Sequence, residues 1–379
     1  MANLPRWRPA LRAWHRWFGL GAALWLLLLA LTGSVIAFYD ELDRALNPDW
    51  RGVAVAGPAP SVPVDAALIT VAAALPGFSP RMVDLPEQAG HTITMIGSMA
   101  RDGEDVPAQA FIDAEGRTVL GWRQMGLLAL DRRHLMDTIY GLHVELLLGE
   151  MAAWLLGLLA LLWILDHLAA LLLSFPNRAR WREAFLIKGR GFSLRWLFDL
   201  HRASGLWLYL ATFTLALTGL TLTWHEETRW VARWAAPVSE RLHVSMPQRP
   251  APANRISADQ ALAKVAAATQ SSADSLVLLP RQGVYGVRSF DARDLDGMGR
   301  LWTYVDMANG RIVGQRHDNG EGPGDAFFAW QYPLHSGKIL GLPGRIIVAV
   351  AGLATAGLCL TGFLLWTKRR RRPAVACPL

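Results

Sequence analysis

The stretch WHRWFGL at residues 14–20 governs how the whole chain is understood, because LHRASGL at residues 200–206 repeats its pattern. Each copy opens a long apolar segment and places a histidine, His15 or His201, at its start. Histidine is costly in lipid unless it is paired or bound to something. A histidine that recurs at the start of two apolar segments therefore predicts a buried partner or ligand.

A second repeated pattern also contains a histidine in each copy. YGLH ends at His143 and YPLH ends at His335. We name His15 and His201 the inner pair, and His143 and His335 the outer pair. Two matched pairs at opposite membrane faces are what a protein needs to hold two haems by bis-histidine ligation.

The composition indicates a membrane protein. Of the 379 residues, 52% are hydrophobic, which is too apolar for an ordinary soluble protein of this size. About 20 apolar residues suffice to cross a bilayer, and four segments are long enough. The predicted transmembrane helices cover residues 10–38, 140–174, 196–225 and 335–367.

The positive charges predict the orientation of these helices. Lysine and arginine concentrate at the N-terminus, in the 175–195 connection and in the 368–379 tail, and such segments stay in the cytoplasm. We therefore expect both termini inside and the connections 40–133 and 226–334 outside. The formal charge of +7 follows from this bias, and no nucleic-acid motif accompanies it. The basic residues concerned are Arg6, Arg8, Arg12 and Arg16, then Arg178, Arg180, Arg182, Lys188, Arg190 and Arg195, and finally Lys368, Arg369, Arg370, Arg371 and Arg372.

The chain has the signs of an internal duplication. Leu-Thr-Gly at 31–33 returns at 217–219, and a glycine follows both outer histidines at the same spacing of six. Each outer connection predicts a short helix, at 64–75 and 257–269, and then four strands that end in a hairpin with a glycine-containing turn. The predicted strands are 81–85, 91–96, 108–112 and 117–122 in the first connection, and 275–279, 284–290, 301–305 and 311–315 in the second.

These signs predict the fold class. We expect a mainly α membrane protein, a four-helix bundle built from two parallel repeats. Each repeat would consist of a helix, an outer α+β module and a second helix. Each module would lie in the periplasm.

The doubled HRxxGL helix, the stretch LHSGKILGLPGR at 334–345 and the paired α+β connections resemble the PepSY-associated transmembrane proteins. Within that family the chain is similar to the bacterial inner-membrane ferric-siderophore reductases that carry two haems. The resemblance implies electron delivery to a ferric siderophore, with release of ferrous iron in the periplasm. The residues themselves support haem, whereas the siderophore comes from the resemblance alone.

Several residues compete for the roles around the haems. His167 and His225 are alternative ligands for the inner and outer haem, but neither is duplicated. Asp166 is the only acid deep in a predicted helix, and it is a candidate partner of a haem ligand or part of a proton path. Candidate propionate partners are Arg16, Arg202, Lys338 and Arg345, whose alternative role is setting topology.

Other features limit the chemistry. Only two cysteines are present, Cys359 and Cys377, and no CxxCH motif exists, so a haem would be non-covalent and of the b type. Glu145, Glu150, Glu226 and Glu227 would suit a cationic siderophore of the hydroxamate type, or form an ordinary solvated face. We also expect His91, His243 and His317 to be solvated.

The distance between the pairs is a difficulty for electron transfer. On the second predicted helix, 24 residues separate His143 from the inner end at His167, and they rise about 36 Å. The short cytoplasmic segments leave no room for a nicotinamide or flavin domain. Electrons must therefore come from quinol or a separate cytoplasmic reductase. Two other interpretations remain: a haem-free membrane-anchored regulator of a peptidase, and a metal permease that uses the histidines as a path.

Overall fold

A computed structural model describes residues 7–52, 62–175, 178–249, 252, 254–320 and 322–370. Arg6, Arg371, Arg372 and Cys377, all named above, lie outside these residues. The helices are α1 (Trp7–Ile36), α2 (Tyr39–Leu46), α3 (Pro48–Arg51), α4 (Val64–Ala74), α5 (Leu135–Glu145), α6 (Glu150–Ser174), α7 (Leu194–Trp207), α8 (Tyr209–Thr223), α9 (His225–Ala232), α10 (Leu242–Ser245), α11 (Ala258–Thr269), α12 (Pro323–Ser336) and α13 (Gly341–Arg370). The strands are β1 (Phe78–Asp84), β2 (Ile93–Arg101), β3 (Glu104–Ile112), β4 (Val119–Gln124), β5 (Ala273–Leu279), β6 (Val284–Ser289), β7 (Leu301–Asp306) and β8 (Ile312–His317).

The chain divides into two compact units, which we name the helical unit and the sheet unit. The helical unit contains residues up to Ala37, Leu142–Glu226 and the chain from Leu334 onward. The sheet unit contains Phe38–Gly141 and Glu227–Pro333, close to the predicted 40–133 and 226–334.

The helical unit has three helices that are long and apolar enough to cross a membrane: Trp7–Ile36, Glu150–Ser174 and Lys338–Arg370. A fourth candidate is the pair α7 and α8, which is bent by 64°. Length and composition alone make these segments candidates, and they identify the chain as a membrane protein.

The prediction of continuous helices over 140–174, 196–225 and 335–367 is wrong in detail. Leu146 and Leu147 adopt positive φ after α5, and Gly337 and Gly341 do so between α12 and α13. A residue in this left-handed region ends an α-helix. The outer pair therefore lies on the short helices α5 and α12, and the spanning helices begin after them.

The third predicted span breaks at Leu208. Ser204 and Thr212 flank the break, and their hydroxyls donate to Leu200 O and Leu208 O, one turn back in each case. Such back-bonding by serine and threonine often bends a helix, which gives the break a local cause.

Small residues let the long helices approach one another closely. The Ser34 hydroxyl on α1 lies 3.0 Å from Ala349 O on α13, beside Gly352, where an added Cβ would collide with the Ser34 hydroxyl. Between α6 and α8, the Trp224 indole covers Gly157 and donates to Trp154 O at 2.8 Å. Close contact through small residues is typical of helix packing in membranes.

The sheet unit contains one eight-stranded antiparallel sheet in the order β4-β3-β2-β1-β5-β6-β7-β8. All eight predicted strands and both predicted hairpins are present. The two predicted modules are joined in one sheet, because β1 pairs with β5 through Met82, Val83 and Asp84. Unpaired strand edges are unfavourable, and each half of the chain removes the other's edge.

Helices α4 and α11 bury the apolar side chains of the sheet, including Val83, Met95, Leu276 and Val287. The two helices also cap each other. Asp259 on α11 accepts from the backbone N–H of Val64 at 2.8 Å, and Asp65 on α4 accepts from the N–H of Ala258 at 2.9 Å. Aspartate is a favoured acceptor for the unsatisfied donors of a helix start. The predicted N-cap at Ser257 forms a full capping box with Gln260.

Charged side chains lie at the junction of β1 and β5. Asp84 on β1 lies near Asp274, whose Oδ2 is 3.2 Å from the Arg288 guanidinium. Burial first, and then the neighbouring Asp274 carboxylate, raise the pKa of Asp84 to about 6. The junction therefore holds an acid that is reluctant to ionise.

Candidate functional site

The inner pair is brought together in the helical unit. The ring centroids of His15 on α1 and His201 on α7 are 6.1 Å apart, and the rings are tilted by 56°. His15 Nδ1 lies 3.0 and 2.9 Å from the two carboxylate oxygens of Asp166 on α6. His201 Nδ1 lies 2.9 Å from the Thr361 hydroxyl on α13. Asp166 is thus a partner of His15, one of the two roles expected for it.

The outer pair has nearly the same geometry. The ring centroids of His143 on α5 and His335 on α12 are 6.2 Å apart, with a tilt of 51°. His143 Nδ1 lies 3.1 Å from the Thr32 hydroxyl and 3.1 Å from Leu29 O on α1. His335 Nδ1 lies 2.9 Å from the Thr218 hydroxyl on α8.

The partners of the four rings fix which nitrogen carries the proton. The hydroxyls of Thr32, Thr218 and Thr361 each donate to a backbone carbonyl four residues earlier, at 2.7–2.8 Å. A hydroxyl has one proton to donate, so each threonine accepts a hydrogen bond from its histidine Nδ1–H. A carboxylate only accepts, so Asp166 imposes the same tautomer on His15. In the neutral form of each ring, Nε2 then has the lone pair.

Glycines let the imidazoles lie close to the neighbouring helices. Beside the outer pair, an added Cβ on Gly33 would lie 2.8 Å from His143 Cε1, and one on Gly219 would lie 3.4 Å from His335 Cε1. Gly362 is related in the same way to His201. Each glycine directly follows the threonine that binds the ring nitrogen. The motif Leu-Thr-Gly therefore forms a histidine-binding surface.

The third copy of this motif, at residues 360–362, was missed in the sequence analysis. Its signal is present in the sequence, because Leu-Thr-Gly occurs there as it does at 31–33 and 217–219. Around Asp166 the corresponding residues read Leu-Asp-His, so a carboxylate takes the place of the hydroxyl.

The paired rings fit a metal ion bound between them. With metal–nitrogen bonds of about 2.0 Å and about 1.1 Å from nitrogen to ring centre, two opposed imidazoles have centroids roughly 6.2 Å apart. The observed 6.1 and 6.2 Å agree with this value.

Two glycines lie beside the inner pair. Gly19 and Gly205 lie one turn after His15 and His201, on the same helix faces. An added Cβ on Gly19 would meet no heavy atom within 4 Å, and one on Gly205 would meet only Leu358, at 3.7 Å. Within the described ranges no group of three or more histidine, cysteine or acidic side chains converges. Each pair thus offers two protein ligands, the number that haem iron takes.

The two pairs lie closer together than the 36 Å of the sequence estimate. His15 and Thr32, the residues of α1 that mark the two levels, are 17 positions apart, which corresponds to about 25 Å of helix. The estimate was wrong because His143 and His335 are not on the spanning helices. Their short helices bring the rings to α1 and α8.

The alternative ligands have other surroundings. His167 uses both ring nitrogens, with Nδ1 2.9 Å from Trp163 O and Nε2 3.0 Å from the Thr212 hydroxyl. Its ring packs against Tyr209 and Phe213. His225 begins α9. The structure pairs the four duplicated histidines with one another.

The four candidate propionate partners differ in their contacts. Arg16 stacks over the Trp17 ring at 4.9 Å. Arg202 donates to Ala184 O, Glu183 O and the Asp199 carboxylate, which holds it against the connection before α7. Arg345 donates to Ala37 O at 2.7 Å, and Lys338 begins the 3₁₀ turn Lys338–Leu340 before α13.

The remaining histidines belong to the sheet unit. The expectation that they are solvated is wrong for His91 and His317, which are buried. Arg44 contacts the His91 ring, and His317 Nε2 lies 2.9 Å from Asp294. His243 Nδ1 lies 2.9 Å from the Tyr304 hydroxyl.

The family model for the PepSY-associated TM region matches residues 12–369. The chain belongs to the PepSY-associated TM region family. No curated protein matches the chain. For this member of the PepSY-associated TM family, the match covers both units and all four paired histidines.

Proposed function

We propose that this protein is a di-haem b oxidoreductase of the bacterial inner membrane that passes electrons outward and reduces ferric siderophore in the periplasm. One observation carries the proposal: four duplicated histidines form two pairs with ring centroids 6.1 and 6.2 Å apart. The groups beside all four rings accept a hydrogen bond from Nδ1–H, so Nε2 has the lone pair when the ring is neutral. This is the state in which imidazole binds a metal.

The proposed membrane arrangement has four spans, with the bent pair α7 and α8 as the third. Two parallel repeats would be related by an axis along the membrane normal. The sheet order, which runs outward from β1 and β5 in the same way in each half, supports this repeat. Basic residues place both termini in the cytoplasm.

The protein's own residues would hold and orient the two cofactors. His15 and His201 would bind the inner haem, and His143 and His335 the outer one. When bound, haem b would supply one-electron transfer between a donor on the cytoplasmic side and an acceptor outside. Arg16 is the better candidate for a propionate partner, because Arg202 is held by backbone carbonyls and Asp199 and Arg345 donates to Ala37 O. The electron donor would be quinol or a cytoplasmic reductase.

The haem-free alternatives differ in how well they account for the geometry. A peptidase regulator has no need of paired rings at the spacing of opposed metal ligands. A metal permease could use such pairs, and the haem content of the protein distinguishes it from the reductase.

The first experiment is an absorption spectrum of the detergent-purified protein, oxidised and dithionite-reduced, with a pyridine haemochrome count. We expect two b haems per chain and sharp α-bands on reduction. The His243→Ala variant is the matched control, since His243 lies in the sheet unit, and it is expected to keep both haems. A colourless protein that haem supplementation during expression does not rescue would overturn the proposal and leave the regulator or the permease.

The substrate is tested separately from the cofactor. The dithionite-reduced protein, freed of excess reductant, is mixed with a ferric trihydroxamate complex, and loss of the reduced α-band is followed. The corresponding gallium complex has a similar shape but accepts no electron, so it is the control. Oxidation by neither complex would leave a di-haem protein with a different electron acceptor.

A further inference from the structure

One of the four ligand rings has a different electrostatic partner. Three rings donate to neutral threonine hydroxyls, whereas His15 donates to the Asp166 carboxylate, both oxygens of which lie within 3.0 Å of Nδ1. Asp166 is only 6% exposed. A buried charge interacts strongly with its neighbour because little water screens it.

A carboxylate behind a ligand histidine changes what that histidine gives to a metal. It fixes the ring orientation and makes the imidazole a stronger electron donor. Hydrogen bonds to charged acceptors are roughly twice as strong as those between neutral groups. A more basic ligand and a nearby negative charge both favour the more positive, oxidised metal ion. The effect is a lower reduction potential at the pair that contains His15.

Among the described residues, no carboxylate is a hydrogen-bond partner of a ring in the outer pair. His143 has the Thr32 hydroxyl and the Leu29 carbonyl, and His335 has the Thr218 hydroxyl. These neutral acceptors fix the tautomer without adding charge. The two pairs are therefore alike in ring geometry and different in charge.

We propose that Asp166 is a positioning residue that lowers the reduction potential of the inner haem below that of the outer haem and so sets the direction of electron flow outward. This inference rests on the proposed function. It assigns to one residue an asymmetry that the duplication by itself would not produce.

The test uses Asp166→Asn, which removes the charge at nearly constant shape, and Asp166→Thr, which gives His15 the partner that the other three rings have. Thr361→Val is the matched control, because it alters the partner of His201 without changing charge. Redox titrations are followed at the α-band in the full-length protein. Each variant is also studied with His335→Ala, where only the inner haem is expected to remain.

We expect two potentials in the wild-type protein. Both Asp166 variants should raise the lower one enough to change the electron distribution between the haems at least tenfold, which for one electron is about 59 mV. The higher potential should stay in place, and Thr361→Val should shift the lower one less.

Three results would overturn the inference. In the first, the Asp166 variants bind two haems with unmoved potentials. In the second, only the higher potential moves. In the third, both variants lose a haem, since Asp166 would then be required for binding rather than for tuning. A wild-type protein without haem would instead refute the proposed function, so the two failures are distinct.

Discussion

The inner and outer histidine pairs have nearly equal ring spacing, but different elements supply them. His15 and His201 belong to long or bent membrane helices, whereas His143 and His335 belong to the short helices α5 and α12. The outer rings reach their level by resting on Leu-Thr-Gly surfaces of other helices. The comparison teaches that the packing surface, rather than the helix that carries the histidine, sets the position of the ring.

The largest expected effect comes from deleting one ring of either pair. His335→Ala should reduce the haem content from two to one per chain and abolish reduction of a ferric trihydroxamate complex, while the protein still inserts in the membrane. The haemochrome count and an assay of ferrous iron release measure this result. His15→Ala should also leave one haem, the outer one. Retention of both haems by His335→Ala would show that the outer pair is not a ligand pair.

A smaller effect is expected from adding a methyl group to the packing surface. In Gly33→Ala the new Cβ would lie 2.8 Å from His143 Cε1, closer than real Cβ contacts, while in Gly219→Ala the corresponding distance is 3.4 Å. We expect Gly33→Ala to lower the occupancy of the outer haem more than Gly219→Ala, and neither to affect the inner haem. Gly21→Ala on the same helix is the control, because no heavy atom lies within 4 Å of the new methyl. Equal haem content in all three variants would contradict the idea that the surface sets the ring.

The smallest effect is expected at a neutral partner. Thr218→Val removes the hydroxyl that accepts from His335, a neutral hydrogen bond worth about 1 kcal/mol. Its effect on the outer potential should be an increase smaller than the increase that Asp166→Asn causes at the inner haem. The measurement is a redox titration with His15→Ala, so that only the outer haem contributes. An increase in the outer potential as large as the increase that Asp166→Asn causes at the inner haem would contradict the proposed electrostatic difference between the pairs.

Much of the fold could be predicted from the sequence. The eight strands follow from alternating apolar residues bounded by glycine-containing turns, and the capping box at Ser257 follows from its spacing to Gln260. The joining of the two modules could not be predicted, because the pairing of β1 with β5 links residues more than 190 positions apart. Local patterns do not specify which edge strand meets which.

The sequence predicted which histidines form the candidate site but not where the helices that carry them begin and end. Duplication of the four histidines gave the pairs that the structure brings together. The breaks at 146–149 and at Leu208 were missed, since apolar composition continues through them and only backbone conformation reveals them. The role of Thr361 was missed because Leu-Thr-Gly was taken as a sign of repetition rather than as a surface for a ring.

The junction of β1 and β5 has a consequence for synthesis of the chain. At about 5–20 residues per second, roughly 10–40 s pass between the emergence of β1 and that of β5 from the ribosome. During that time the edge of β1 is open to other nascent chains. This strand contains Pro80 and the acid Asp84, and its pairing with β2 shifts register between Pro80 and Met82. Proline, a bulge and charge discourage foreign strands from pairing, so β1 is protected while it waits for its partner.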